Sequence, residues 1–221
     1  MRRKAGSDNT GSCKSMGETG EVEGGFGLRH YIERFTPSAE EFLRKKELTP
    51  QELAGWFAEK FGERVRDIVA KEKPEGTKGA LRRTIWMNAD REILRDMIRS
   101  LIDEIHYPHL SVISGTDEGE KVELQYHIQV YYGERATETT ISVRFALPKD
   151  DLWIDSICDL IPGALISERE KQEMLGVDVR NIYDSRRYFL PDDFPQGVYP
   201  WRKDETGIKP EMVRKLSEVG L

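Results

Sequence analysis

A cluster of three glutamates is the first group of residues in this sequence that could carry chemistry. Glu168, Glu170 and Glu173 lie close together in one short polar stretch. Paired carboxylates perform acid–base catalysis when the pKa of one of them is raised. A free-standing hydrolase using carboxylates near Glu170 is therefore one candidate function. The competing interpretation is structural, because Ser167 and Glu170 have the spacing of a helix capping box.

Histidine and cysteine offer little metal chemistry in this chain. His106 and His109 are three positions apart, but Pro108 interrupts any helix that would place them on one face. Cys13 and Cys158 are the two cysteines, fewer than the four thiolates that an iron–sulfur cluster or closed zinc site usually needs. We therefore expect plain thiols, and no catalytic, cofactor-binding or metal-binding residue in this chain.

Composition excludes several classes of function. The chain has 221 residues, of which 33% are charged, with a net charge of -6. That balance lacks the basic footprint of a nucleic-acid-binding protein, so we expect no nucleic-acid partner. No run reaches the ~18 apolar residues of a membrane span, and no apolar stretch follows Met1 as it would in a secretory signal. Any membrane association is expected to come through a partner.

The segment from Arg180 to Asp204 has the most unusual composition. It mixes arginine and aspartate with the aromatic residues Tyr183, Tyr188, Phe189, Phe194, Tyr199 and Trp201. Arginine and aromatic residues are enriched in buried protein–protein interfaces. The alternative is a surface loop anchored to its own domain. Mixed charge argues against a nucleic-acid groove, which would be of one sign.

Helix signals surround these residues. Thr49, Pro50 and Glu52 predict a capped helix, and a shorter helix is predicted to begin near Ser38. A regular apolar stripe predicts a helix from about Asp90 to Ile105. Further helices are expected over Glu168–Leu175, ended by Gly176, and over Pro210–Val219.

The clearest strand signals follow the predicted helix that ends near Ile105. Val122 to Tyr132 and Ile141 to Leu147 alternate apolar and polar residues, which predicts an antiparallel hairpin. Shorter strands are expected over Leu81–Met87 and Leu110–Ser114, with loops over Lys71–Gly79 and from Pro148 to Gly163. The predicted fold class is α+β, a two-layer sandwich of a mostly antiparallel sheet with helices on one face. A long irregular C-terminal arm completes it.

Several short motifs resemble the signature of the complex I 30-kDa subunit family, a family of NADH dehydrogenase subunits. The resemblance covers about residues 49 to 205. In order, the motifs are His109-Leu110-Ser111, Gly115-Thr116-Asp117, Asp159-Leu160-Ile161-Pro162-Gly163-Ala164, Glu168-Arg169-Glu170, Gly176, Arg186-Arg187, Leu190-Pro191-Asp192-Asp193 and Pro200-Trp201-Arg202-Lys203-Asp204. The stretch Asp193 to Pro200 is most similar to the archaeal branch found in membrane-bound group 4 [NiFe]-hydrogenase-related complexes.

This resemblance implies three regions and a non-catalytic role. Residues 1–48 would form a flexible or partner-ordered extension, 49–176 an α+β core domain, and 177–221 an arm contacting the large subunit. The motif residues expected at that interface are Glu168, Arg169, Glu170, Arg186, Arg187, Leu190, Pro191, Asp192, Tyr199, Pro200, Trp201, Arg202, Lys203 and Asp204.

The resemblance also implies partners and location. They are a large hydrogenase-like (49-kDa-type) subunit, a small iron–sulfur subunit, a ferredoxin-like cluster subunit and, indirectly, antiporter-like membrane subunits. Iron–sulfur clusters or a nickel–iron centre would lie in those partners, and the chain would sit peripherally on the cytoplasmic side of the membrane. The complex would pass electrons from ferredoxin or NADH to protons, sulfur compounds or quinone while pumping ions. The alternatives are a soluble adaptor without a redox role and the hydrolase described above.

Overall fold

The computed structural model describes residues 47–77, 79–132 and 137–213. The helix predicted near Ser38 lies outside these residues, as does nearly all of the predicted extension 1–48. The first described helix, α1 (Pro50–Phe61), begins as expected. The Thr49 hydroxyl accepts the Glu52 N–H at 3.3 Å, and the Glu52 carboxylate accepts the Thr49 N–H at 2.9 Å. The capping box is confirmed, and it directs Leu53 and Phe57 into the core.

A five-stranded sheet forms the second layer. Its strands are β1 (Val65–Glu75), β2 (Ala80–Ala89), β3 (His109–Asp117), β4 (Lys121–Val130) and β5 (Thr139–Pro148). Their spatial order is β1-β2-β5-β4-β3, and only the β2–β5 pair is parallel. The predicted hairpin is confirmed, since β4 and β5 pair antiparallel from Lys121↔Pro148 to Val130↔Thr139. The mostly antiparallel α+β fold is likewise confirmed.

Alternation along β4 and β5 places one face of the sheet in the core. Every second residue of β4 from Val122 to Val130 is buried, while the residues between them are partly exposed. The second helix, α2 (Leu94–Ser100), lies between a 3-10 turn over Arg91–Ile93 and a π-helical turn over Leu101–Ile105. Its apolar stripe is buried as predicted. Asp90 makes no side-chain cap, and its carboxylate instead accepts a hydrogen bond from Arg66 at 2.6 Å.

Strand β1 corrects the sequence prediction, which placed a loop over Lys71–Gly79 and no strand before it. β1 runs from Val65 to Glu75 and includes Pro74. It is the edge strand of the sheet, and most of its residues are exposed. An edge strand tolerates proline and charge and need not alternate apolar and polar residues, so its sequence resembles a loop.

The third α-helix of the described residues, α3 (Ala164–Leu175), starts earlier than predicted, and the expected cap at Ser167 is wrong. Gly163 occupies the N-cap position without a side-chain hydrogen bond. Hydrogen-bonded turns precede α3 and lead directly into it. The Ala164 N–H donates to the Ile161 carbonyl, and both residues are buried. Gly176 ends α3 with a positive φ of 69°, as expected of a helix-stopping glycine.

The remaining chain is largely irregular. Strands β6 (Trp153–Asp155) and β7 (Asp178–Arg180) form a small parallel pair that the sequence did not predict. Beyond β7, regular structure over the described residues is limited to a 3-10 turn at Pro210–Met212. The helix expected over Pro210–Val219 is therefore a 3-10 turn at its start, and its later residues lie outside the described ranges. We call residues 177–213 the arm; the boundaries at 48 and 176 stay predictions.

Candidate functional site

Helix α3 and the arm bring most of the signature residues together. Glu168 is 1% exposed, and its carboxylate accepts hydrogen bonds from the Ser156 hydroxyl at 2.6 Å, the Ile157 N–H at 2.8 Å and the Cys158 thiol at 2.8 Å. Burial raises the pKa of Glu168, and these donors offset that rise only in part. Burial likewise raises the pKa of the Cys158 thiol. Glu168 therefore fixes the loop before α3.

Arg169 holds the first turn of the arm. Its Nε donates to the Arg186 carbonyl at 2.8 Å, and its second terminal nitrogen donates to the Arg187 carbonyl at 3.1 Å. Its remaining terminal nitrogen lies 3.3 Å from the Asp184 carboxylate. The guanidinium lies 5.1 Å from the centre of the Tyr188 ring. Arg169 is buried, so its fork is committed to its own chain.

Glu173 binds three consecutive backbone amides of the arm. Its carboxylate accepts from Tyr188 N–H at 2.6 Å, Phe189 N–H at 2.9 Å and Leu190 N–H at 2.8 Å. An irregular segment has no ladder partners of its own, so these amides need an external acceptor. Glu173 supplies it and is itself buried.

The C-terminal end of α3 is closed by a later part of the arm. The Trp201 N–H donates to the Met174 carbonyl at 2.9 Å, and Arg202 Nε donates to the Leu175 carbonyl at 2.6 Å. These groups satisfy carbonyls that a helix end leaves unpaired. A Cβ on Gly176 would lie 2.6 Å from the Tyr199 ring, so only glycine lets the arm approach here.

A further set of contacts joins the arm to the sheet. Asp117 accepts hydrogen bonds from Lys149 Nζ, from the Lys203 N–H and from the Gly119 N–H at 2.8, 2.8 and 2.9 Å. Lys149 also pairs with Asp204. Burial raises the pKa of the Asp117 carboxyl, but the three donors together outweigh burial and lower its pKa to about 2. The Asp117 motif and the arm's final motif, far apart in sequence, thus meet in space.

The carboxylates of this site accept hydrogen bonds from groups of their own chain or pair with its cations. Glu168 and Glu173 are bound by groups of their own chain, and Glu170 pairs with Lys171. Among the described residues, no three His, Cys, Asp or Glu side chains are grouped so as to hold a metal ion. The arrangement can order a segment and present its outer surface.

The predicted histidines lie away from this site, whereas Cys158 is part of it. His106 is buried, its Nδ1 accepts the Tyr131 N–H at 3.4 Å, and its ring contacts Tyr131 and Tyr132. The His109 ring lies 5.8 Å from that of Tyr132. Cys158 is buried beside Glu168, and Cys13 lies outside the described ranges.

The predicted interface residues fall into three groups by exposure. Glu168 and Arg169 face inward, so any effect on a partner would pass through the loops they hold. The partly exposed members are Glu170, Arg187, Leu190, Tyr199, Pro200, Arg202 and Asp204. The exposed members are Arg186, Pro191, Asp192, Trp201 and Lys203. The interface itself stays a prediction.

Sequence reasoning missed several residues that shape this site. Lys171 and Lys149 were not singled out at all, Glu173 was named only as a candidate catalytic carboxylate, and Asp117 was named only as part of a motif. Lys171 is buried, and its Nζ lies 4.7 Å from the centre of the Trp201 ring. For Lys171 the available signal was position, because it lies on the same short helix as Glu168 and Arg169. The exposed apolar residues of the arm are Tyr183, Tyr188, Phe189, Trp201, Ile208 and Val213.

Comparison with known proteins assigns the family. Residues 87–211 match the family described as "Respiratory-chain NADH dehydrogenase, 30 Kd subunit". The chain belongs to this family. The match covers β3 to β5, α3 and nearly all of the described arm, so the expected resemblance is confirmed over the site. None of the helices in the described ranges is long and apolar enough to cross a membrane.

Relatives come from several respiratory and hydrogenase complexes. The membrane-bound hydrogenase subunit beta of Pyrococcus furiosus is 37% identical over 60% of this chain and 76% of its own length. A subunit of the F(420)H(2) dehydrogenase of Methanosarcina mazei is 29% identical over 58% of this chain and 78% of its own. Formate hydrogenlyase subunit 5 of Escherichia coli is 36% identical over 45% of this chain, but this match spans only 18% of that longer protein.

Among solved structures, one that aligns with this chain is a chain of the membrane-bound sulfane sulfur reductase, described as an archaeal respiratory membrane complex. It aligns with a TM-score of 0.48 and 18% identity, over 76% of this chain and 88% of that chain.

Proposed function

We propose that this chain is a non-catalytic, cofactor-free subunit of the peripheral arm of a membrane-bound, ion-pumping redox complex. The observation that carries the proposal is family membership, since its relatives are subunits of hydrogenase, F(420)H(2) dehydrogenase and NADH-quinone oxidoreductase complexes. These complexes are named for different electron donors and acceptors, whereas the same domain recurs in each of them. Chemistry specific to donor and acceptor therefore belongs to other subunits, with ferredoxin or NADH supplying electrons and protons, sulfur compounds or quinone receiving them.

The site supports a structural role for the chain itself. Its carboxylates are bound internally, and its buried arginines hold backbone carbonyls. What the arm offers outward is aromatic: Tyr188 is 62% exposed and Trp201 42%. Exposed aromatic side chains on a preordered segment are typical anchors for a protein partner.

The proposed main partner is a large hydrogenase-like subunit. In formate hydrogenlyase subunit 5 and hydrogenase-4 component G of Escherichia coli, the matched domain makes up 18% and 22% of a single chain. A domain that is fused to a larger polypeptide in some relatives is expected to bind its counterpart when the two are separate. The cluster-bearing small subunits and the antiporter-like membrane subunits would follow from the same assembly, on the cytoplasmic side of the membrane.

The test is purification of the complex through this chain. The full-length chain is tagged and expressed in the organism from which it comes, and the membranes are solubilised gently. The captured subunits are identified by mass spectrometry, and their metal content is measured. We expect a hydrogenase-like large subunit, iron and membrane subunits. A lone, metal-free monomer would refute the proposal, and turnover of a substrate by the isolated chain would favour the hydrolase alternative.

A surface variant makes this test specific to the arm. Trp201→Ala removes an exposed anchor, and we expect a loss of about 2 kcal/mol of assembly free energy. Val69→Ala is the matched control. Val69 is 43% exposed on edge strand β1, whereas α3 packs on β3, at the opposite edge of the sheet. Equal recovery of the complex with both variants would show that the arm surface is not the docking site.

A further inference from the structure

The arm carries an arginine-lined cleft whose charges are incompletely paired. The cleft has a volume of about 710 Å³ and is lined by Arg169, Arg186, Arg187, Tyr188, Asp192 and Gln196. Two of its three guanidinium groups are matched, because Arg169 and Arg186 both bind the Asp184 carboxylate.

Arg187 is the exception. One terminal nitrogen donates to the Pro191 carbonyl at 3.3 Å and to the Phe194 carbonyl at 2.7 Å. Among the described residues, no carboxylate forms an ion pair with this partly buried guanidinium. Two neutral carbonyls bind this charge less strongly than a carboxylate would, so an acidic side chain of a partner would add a favourable contact here.

The cleft is also held in place before any partner arrives. Glu173 binds the amides of Tyr188 to Leu190, and Arg169 binds the carbonyls of Arg186 and Arg187. Both sides of Arg187 are therefore fixed to helix α3. A preordered guanidinium loses little further conformational freedom when it binds, which favours affinity.

From these contacts we infer that Arg187 receives an aspartate or glutamate side chain of the partner subunit, which inserts into this cleft. The inference rests on the proposed function and names the chemistry of its contact. A planar guanidinium matches a carboxylate in a two-bond geometry. The flanking Tyr188 and Phe189 rings, 5.2 Å apart and both exposed, would be covered by the partner and would exclude water from the pair.

Charge count favours a carboxylate over a phosphate. The lining holds three guanidinium groups and the Asp192 carboxylate, and Asp184 binds two of the guanidinium groups, so Arg187 is the one cationic group of the described lining left without a carboxylate. That charge suits a single carboxylate, whereas Asp192 in the lining would repel a dianionic phosphate of a lipid headgroup or nucleotide.

The experiment converts the contact into a covalent bond. The complex is purified from cells carrying Arg187→Lys and treated with a water-soluble carbodiimide, which joins an amine to a carboxylate in direct contact. We expect a cross-link from position 187 to an aspartate or glutamate of another subunit. Arg180→Lys is the control, since Arg180 lies 3.2 Å from Asp178 of its own chain, and should give no cross-link between subunits.

A second variant covers the case in which lysine is too short to reach. Arg187→Gln removes the charge, and we expect the subunit to leave the immobilised complex about 30-fold faster than wild type. An intact complex with no inter-subunit cross-link and an unchanged release rate would overturn this inference while leaving the proposed function standing. Recovery of the wild-type chain alone would overturn both.

Discussion

At the scale of single residues, Glu173 shows how one side chain orders a segment without secondary structure. Its two oxygens accept three consecutive N–H groups of the arm. Hydrogen bonds to a charged acceptor contribute more than neutral ones, about 1.5–3 kcal/mol each. Because the three amides are sequential, their shared acceptor also sets the local backbone direction.

Replacing this acceptor tests its role. In Glu173→Gln the amide oxygen is neutral and can accept only part of the set, so the segment should open more often. We expect amide hydrogen exchange of Tyr188 to Leu190 to speed up roughly 30- to 100-fold, which corresponds to about 2–3 kcal/mol. Glu59→Gln on the exposed side of α1 is the control and should leave exchange unchanged. Unaltered exchange in Glu173→Gln would mean that the arm is held by other contacts.

At the scale of elements, the contact between β3 and α3 depends on a missing side chain. A Cβ at Gly115 would lie 2.5 Å from Leu175 Cδ1 and 3.3 Å from Leu124 Cδ2. Both neighbours are buried, so neither can withdraw into solvent. The glycine lets the helix that holds the arm lie directly on the sheet.

Two glycine-to-alanine changes should therefore have opposite signs. Gly115→Ala forces α3 away from β3, and we expect the free energy of unfolding to fall by about 1–3 kcal/mol. Gly55→Ala lies inside α1 with nothing within 4 Å of the new Cβ, and should raise it by about 0.5–1 kcal/mol. Urea titrations of the two variants measure the difference. A neutral Gly115→Ala would show that the helix can shift without loss.

Elements with a regular pattern could be predicted from the sequence. The Thr49 cap and the β4–β5 hairpin follow from local spacing and are confirmed. Edge strand β1 could not be predicted, because it is stabilised by pairing with β2 rather than by an apolar face. Its boundary signals were Pro74 and Gly76, which also occur in loops.

The sequence predicted which residues gather at the site, but not which of their side chains face inward. The motif residues do gather around α3, yet the composition of the arm gave no means of telling which arginines face inward. Arg169 is buried against backbone carbonyls while the Arg186 side chain is 85% exposed. That difference is set by tertiary contacts, because Arg169 on α3 binds carbonyls of the arm 17 and 18 residues further along the chain.

At the scale of the whole molecule, aspartates that are ionised and paired in the native state make stability depend on pH. The Arg186 guanidinium beside Asp184 and the Lys149 ammonium beside Asp204 hold the pKa of each carboxyl below its usual value. With Asp117, whose pKa is about 2, these groups stabilise the native state while ionised. Their contribution is complete above the unfolded pKa of about 4 and is lost as pH falls toward the folded pKa.

Glu168 acts in the opposite sense. Its pKa is raised by burial, so ionising it opposes folding above the unfolded pKa, and protonation relieves this at low pH. One group of this sign is outweighed by the three lowered aspartates. We therefore expect the free energy of unfolding to decline between about pH 4 and pH 2.

Asp117→Asn tests how much of this pH dependence comes from Asp117, the most buried of the three aspartates. The amide keeps the shape but loses the charge that Lys149 and the Lys203 amide bind. We expect the variant to be less stable by about 1–2 kcal/mol at pH 7, with the difference shrinking as pH falls from about 4 and vanishing only below pH 2, because the wild-type carboxyl, with a pKa of about 2, is half protonated at that pH. Urea unfolding at half-unit pH steps measures both curves, with the exposed Asp150→Asn as control. A constant difference across this range would assign the loss to packing rather than charge, and the arm's attachment to the sheet would then be independent of pH.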